Sequence, residues 1–217
     1  ILAAAAPGTV MIDSSTIDVG SAQAVHEAAK SAGFNMIDAP VSGGVIGADA
    51  GTLTFMCGGD KESFEKAKPI LQGMGKNIVH CGSGGLGQAT KICNNMLAGI
   101  NALAAAEAMT MGERLGVSPD TLYEVISTST GRSYIFETSN PMPDVCSTSP
   151  ANNKFKPGFM AKLMLKDLRL SQAAAQDAKT STPLGAAATA AFQQLIDSGF
   201  GDLDTSSIIK VIKPEPK

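Results

Sequence analysis

Apolar residues follow two different rhythms along this chain. Up to about residue 82 they come in short unbroken runs between turn-forming clusters; beyond it they recur at helical spacing. Thr9-Val10-Met11-Ile12-Asp13 lies between Pro7-Gly8 and Ser14-Ser15-Thr16 and reads as a buried strand opening into a polar loop. A helix is predicted over 18–32, stopped by Gly33, with further strands at 35–38, 53–57 and 78–81. Asp60 is placed to cap a helix reaching about residue 71. Between the second and third strands, 39–51 is too rich in glycine for regular structure and reads as a functional loop. Strand and helix alternating in this way imply part of an α/β sheet.

The second rhythm starts at Leu86. Ile92, Met96, Ile100, Leu103 and Met111 predict one helix over 86–115, long for a globular protein, with Ala98, Ala102 and Ala106 forming a small-residue stripe. Ser118-Pro119 pairs a capping residue with proline at the first helical position, starting a helix to about 128, and Thr182-Pro183 starts another that ends near 199. Leu163, Leu170, Ala173 and Ala174 supply the apolar positions of another over 159–179, and Asp204 caps a last one before a proline-rich tail. The stretch 140–157, with four prolines, is predicted irregular. The fold class is therefore α/β followed by all-α, divided into 1–82 and 83–217 and joined through one long helix.

Composition narrows the function. A net charge of −3 over 217 residues without a basic run, and only 5% aromatic residues, argue against a nucleic-acid partner. No apolar run reaches the roughly 18 residues a membrane span needs. Cys57, Cys81, Cys93 and Cys146 lack C-x-x-C spacing and read as reduced thiols of an intracellular protein, with Cys93 in the core. The first residues lack an initiator Met and a signal-peptide pattern and read as the end of a helix, so the natural chain is expected to begin upstream. There is no metal-ligand cluster, and His26 and His80 read as structural.

Chemistry concentrates where the rhythms meet. Gly82-Ser83-Gly84-Gly85-Leu86-Gly87 matches G-x-G-x-x-G after a strand and before a helix, the context of a dinucleotide fingerprint. The acid expected about 20 residues on falls inside a continuous helix at Glu107, so three readings stand: a phosphate loop, a plain tight turn, or a hinge presenting Lys91. Lys91 and Asn95 are four residues apart and share a helix face.

Three segments together resemble the β-hydroxyacid dehydrogenase family: Asp38-Ala39-Pro40-Val41-Ser42-Gly43-Gly44, the run from Gly84 through Lys91 to Asn95, and Leu165-Lys166-Asp167-Leu168. Ser149-Pro150-Ala151-Asn152-Asn153 and Gly158-Phe159 resemble the branch that acts on 3-hydroxyisobutyrate. The resemblance implies that 1–82 is a truncated Rossmann-type NAD-binding domain, the family's own fingerprint lying further upstream. It also implies that 83–217 is a helical domain that assembles as a homodimer or homotetramer. It carries Lys91 over as general acid/base; Ser42, Gly43, Gly44, Asn95 and Phe159 as substrate-binding residues; and Thr16 and Lys166 as contacts to the cofactor, NAD with NADP not excluded. In eukaryotes the resemblance points to the mitochondrial matrix and to valine catabolism.

Oxidising an alcohol removes a hydroxyl proton as hydride leaves, so a base must stand within hydrogen-bond reach of that oxygen. A free lysine, with pKa near about 10.4, is a poor base at neutral pH. Burial lowers that value, and a neutral Asn95 orients the amine without the ammonium-stabilising charge of a carboxylate. A Ser-Gly-Gly loop binds a substrate carboxylate through unshielded backbone N–H groups and a hydroxyl. Taken alone, each residue has an ordinary reading: Lys91 and Lys166 as surface helix lysines, the Ser-Gly-Gly as a turn, Thr16 as a cap. The rivals are relatives reducing tartronate, glyoxylate or succinic semialdehyde, and a non-catalytic helical module that only oligomerises.

Overall fold

The computed structural model describes residues 2–213. The chain forms two compact units, Ile1–Asn94 and Asn95–Lys217.

In the first unit β1 (Val10–Asp13) and β2 (Asn35–Asp38) pair in parallel through α1 (Val19–Ser31). The helix begins where the Asp18 carboxylate accepts the Ser21 N–H at 2.7 Å. β3 (Val41–Ser42) prolongs the line of β2 beyond Pro40, and both pair antiparallel with β4 (Leu53–Gly58). A short helix, α2 (Gly44–Asp49), fills the bend between β3 and β4. From β4 the chain passes through α3 (Lys61–Leu71), capped by Asp60, to β5 (Gly75–Gly82), parallel to β4. The sheet is mixed, and the carboxyl ends of β1 and β2 are adjacent, with Asp13 in register with Asp38. Ile37, Phe55, Cys57, Phe64 and Leu71 form its core.

One expectation fails here. The glycine-rich 39–51 holds both β3 and α2, because Val41 pairs opposite Phe55 and Gly43 and Gly44, at φ 134° and 60°, turn the chain into a helix. Residues 2–8 form turns and not the tail of a helix.

α4 (Leu86–Arg114) is a single helix of 29 residues. The second unit is built of helices: the rest of α4, α5 (Pro119–Ser127), α6 (Tyr134–Thr138), α7 (Ala161–Asp177), α8 (Pro183–Asp197) and α9 (Ile209–Ile212). Met109, Met164, Leu168, Phe192, Leu195 and Ile208 are at the centre of its core. The irregular 140–157 contains one 3-10 turn, Pro150–Asn153, while α6, capped by Ser133 on the Phe136 N–H, was not anticipated.

The apolar face of α7 is out of phase with the expectation. Leu163 is exposed, and Ala161, Met164, Leu165 and Leu168 turn inward; the helix begins at Ala161, two residues later than predicted, with the Ala161 and Lys162 N–H groups donating to the Leu203 and Gly201 carbonyls. Asp204 caps the 3-10 turn Thr205–Ile208 that leads into α9; the proline-rich tail from 214 lies outside the described residues.

Leu168 has no exposed surface and packs against Gly99, where even a Cβ would stand 3.0 Å from Leu168 Cδ2. A cavity left there cannot collapse easily. We expect Leu168→Ala to lower unfolding free energy by about 3 kcal/mol in urea titrations.

Candidate active site

The first turn of α4 is built around Asp38, whose side chain has no exposed surface. Its Oδ1 accepts the Gly85 N–H at 2.8 Å and the His26 Nε2–H at 2.8 Å, and its Oδ2 accepts the Gln88 N–H at 2.8 Å. A carboxylate from the end of β2 thus takes the place of a cap at the start of a helix that supplies none of its own. Burial works to raise the Asp38 pKa; the His26 hydrogen bond and the Gly85 and Gln88 amides outweigh it and hold the group below the usual carboxylate value.

This arrangement decides among the readings of the G-x-G-x-x-G match. A Cβ on Gly84 would stand 2.6 Å from the His26 ring, and one on Gly87 would collide with the Met56 carbonyl oxygen and the Asp38 carboxylate. These glycines serve close packing of the helix start on the sheet. The amides a phosphate would need are already given to a buried anion, so the phosphate-loop reading is overturned. His26 has a partner that sequence did not reveal, while His80 bonds the Gly59 carbonyl and stacks on Phe64, a structural place.

Gln88, also without exposed surface, reaches the loop after β1. Its Nε2 donates to the Ser15 carbonyl at 2.8 Å, and its Oε1 accepts the Ile17 N–H at 3.2 Å. Thr16 sits between those two anchors, half-buried. Lys91, three residues beyond Gln88 on α4, is 9% exposed. Ser42 ends β3 opposite Thr54, and Gly43 and Gly44 form the step into α2, whose first amides have no partner within the helix.

In the second unit Asn95 is 4% exposed and donates from Nδ2 to Asp167 Oδ2 at 2.6 Å. Asp167 Oδ1 faces Lys166 Nζ at 3.0 Å, with Asp167 buried and Lys166 half in solvent. The structure therefore links Asn95 and Lys166 through a carboxylate that sequence reasoning quoted only as part of a motif. Phe159 is half-buried and precedes α7; its N–H and that of Gly158 both donate to Asp204 Oδ2 at 3.0 Å.

Cys93 is exposed, not core: it lies two residues from Lys91, about 200° around the helix from that buried position. Cys57 is the buried thiol of the first unit, pushed up to about 12 by burial with Cys81 and Asp38 nearby.

Two family models cover almost the whole chain. Residues 1–82 match the NAD-binding domain of 6-phosphogluconate dehydrogenase, and 85–212 match the NAD-binding model of NADP-dependent 3-hydroxyisobutyrate dehydrogenase. An NAD-dependent L-serine dehydrogenase of Pseudomonas aeruginosa is 45% identical over 214 residues, 99% of this chain and 72% of that protein. A mitochondrial 3-hydroxyisobutyrate dehydrogenase of Drosophila melanogaster is 42% identical over 207 residues, 95% of this chain and 64% of that protein. The solved 3-hydroxyisobutyrate dehydrogenase of Mycobacterium tuberculosis with L-serine superposes with TM-score 0.93 at 46% identity, covering 98% of this chain and 73% of that one.

The chain belongs to the β-hydroxyacid dehydrogenase family. It is an NAD(P)-dependent dehydrogenase of that family, acting on a small molecule. Among the described residues no helix is long and apolar enough to cross a membrane. β1 opens at its carboxyl end into the hydroxyl-rich turn Ser14-Ser15-Thr16, the end of a strand at which open α/β sheets bind ligands.

The dehydrogenase should show the Asp38 network in its acid stability. A carboxyl whose folded pKa is depressed contributes fully above its unfolded value of about 3.9, and that contribution is lost as pH falls through the folded value. Urea midpoints of the wild type should therefore decline below about pH 4. Asp38→Asn should be less stable at pH 7 by about 3 kcal/mol and decline less steeply over the same acid range.

Proposed function

We propose that the chain oxidises a small 3-hydroxy carboxylate, 3-hydroxyisobutyrate first, to its semialdehyde, with Lys91 as the general base. The observation that carries this reading is the setting of Lys91: a lysine only 9% exposed, in the opening turns of a helix whose start is pinned by a buried carboxylate. In the reaction the hydroxyl O–H bond gives its proton to the Lys91 amine while the carbon-bound hydrogen leaves as hydride. The bound nicotinamide supplies the acceptor for that hydride. In the reverse direction the Lys91 ammonium returns the proton to the carbonyl oxygen.

On this reading Ser42, Gly43 and Gly44 hold the substrate carboxylate, through the Ser42 hydroxyl and the amides that open α2. Asn95, its Nδ2 held by Asp167, contributes an amide whose oxygen can only accept, suited to the hydroxyl of the substrate. Phe159 lines the pocket, and Thr16 and Lys166 contact the cofactor. Residues 1–82 form part of the cofactor domain, and 83–217 the helical domain. Assembly as a homodimer or homotetramer is supported by exposed apolar residues a heptad apart on α4, Leu97, Ala104 and Met111. In a eukaryotic cell, the mitochondrial naming of relatives supports the matrix, and the substrate supports a place in valine breakdown.

A second substrate has a specific observation in its favour. One relative is named for L-serine and one solved relative contains it. L-Serine and 3-hydroxyisobutyrate share a carboxylate and a β-hydroxyl and differ at the α carbon, amino against methyl. The carboxylate loop and the base serve both, so the choice rests on groups around that carbon.

The test is NAD and NADP reduction by 3-hydroxyisobutyrate and by L-serine in the full-length protein, with Lys91→Ala beside the wild type. We expect turnover of at least one acid and a fall in kcat of about 10² to 10⁴ in the variant. Comparable kcat in a folded Lys91→Ala protein would remove Lys91 as the base. A higher kcat/KM for L-serine would reassign the substrate and leave the base in place.

A further inference from the structure

The Gln88 side chain has a role that neither the capping of α4 nor the reading of Lys91 requires. It projects from the first turn of α4 and spends both halves of its amide on two backbone groups that bracket one residue: Ser15 carbonyl accepts from Nε2 at 2.8 Å, and Ile17 N–H donates to Oε1 at 3.2 Å. The residue between them is Thr16. We propose that Gln88 is a positioning residue for cofactor binding, clamping the Ser15–Ile17 backbone so that Thr16 is presented at a fixed place relative to the catalytic helix; the proposal rests on the reading of Thr16 as a cofactor contact.

The chemistry of the clamp admits few side chains. A carbonyl can only accept and an amide N–H can only donate, so the bracketing residue must offer one donor and one acceptor at equal reach. A primary amide does so, and its orientation is forced by its two partners. Methionine, of similar length, offers neither group. An ionised glutamate can take the Ile17 N–H but sets a second negative oxygen against the Ser15 carbonyl. A protonated glutamate again carries one donor and one acceptor and restores the pattern.

Rigidity comes from the other end of the residue. The Gln88 backbone N–H is itself bound to Asp38 Oδ2 at 2.8 Å, and its side chain has no exposed surface. The turn 14–18 follows the last ladder residue of β1, so it lacks strand hydrogen bonds to define it. Its middle is tethered by a local bond from Ser15 N–H to Asp13 Oδ1 and, from outside the turn, by the two bonds to Gln88 among others. One side chain thereby ties the loop at the end of β1 to the helix that carries Lys91 a turn later. A binding residue and a base from separate elements are held in one frame, where misplacement by a fraction of an ångström costs rate.

The experiment measures NADH affinity by NADH fluorescence in the full-length protein for wild type, Gln88→Met, Thr16→Val and the double variant, with folding checked by circular dichroism. We expect each single variant to raise the Kd on the order of tenfold and the double variant to be no weaker than the worse single, with the KM for the hydroxy acid unchanged. Gln88→Glu adds a readout that packing alone would not give. Its Kd should be high at alkaline pH and return towards that of the wild type, measured at each pH, as the carboxyl takes up a proton.

A Thr16→Val loss with an unchanged Kd in folded Gln88→Met overturns the proposal alone, as do independent, multiplying losses in the double variant. An unchanged Kd in Thr16→Val overturns the reading of Thr16, and the proposal with it. Where Gln88→Met does not fold, the Gln88→Glu series decides, and a pH-independent Kd ratio to the wild type overturns the clamp.

Discussion

A buried carboxylate on the last residue of a strand determines where the long helix begins, and the positions of Gln88 and Lys91 on that helix follow from it. Taking an ionised Asp38 out of water costs several kcal/mol, about what charge-assisted bonds from three donors and the positive end of a helix can offset when all are present. The three donors come from different parts of the chain: Gly85 and Gln88 open α4, and His26 projects from α1. Removing any one leaves the charge under-compensated. That makes the site specific as well as stable, because α4 shifted by even one residue would present different amides. Glycines complete the fit, since a Cβ on Gly58 or Gly87 would occupy the space of the Asp38 oxygens.

Much of the fold was legible because local chemistry and tertiary packing agree. Asp60, Ser118 and Asp204 each announce an element from the sequence, and each accepts the backbone N–H expected of a cap. Strands two and three carry apolar runs bounded by glycine or proline, and their ends fall where those residues put them. The failures share a cause. In 39–51 the backbone is directed by register with β4 and by two left-handed glycines, neither of which has a hydrophobic period. In α7 the first turn is set by backbone bonds from Ala161 to Leu203 and from Lys162 to Gly201, so the apolar phase cannot be read from α7 alone.

The site was legible in a different way. Lys91 and Asn95 share a helix face by spacing alone, and the motifs around them identify the family without any coordinates. What the sequence could not show is which groups hold those residues. Asp38 is 47 positions from Gly85 and 50 from Gln88, Gln88 is more than 70 from the loop it clamps, and Asn95 is 72 from Asp167. Separations of that size leave no periodic trace. The glycine match misled for the same reason: Gly84 and Gly87 are required by an imidazole and a carboxylate arriving from distant parts of the chain, so the pattern matched a phosphate loop whose amides are already bound to a buried anion.

Asn95 shows how such long-range support can serve a base. A lysine that must give and take a proton works best without a bare anion beside it, since an adjacent carboxylate would hold it as ammonium. An amide in that position needs orienting, and the strongest way to orient an amide is to bind its nitrogen to a carboxylate. Asp167 does this at 2.6 Å, and its own charge is matched by Lys166 at 3.0 Å. The anion is thus compensated by a cation partly in solvent, while the residue one helical turn from Lys91 remains neutral and fixed. An aspartate at position 95 would be nearly isosteric with the asparagine yet would set a second anion against Asp167 and within a turn of Lys91, which explains on electrostatic grounds why an amide stands there.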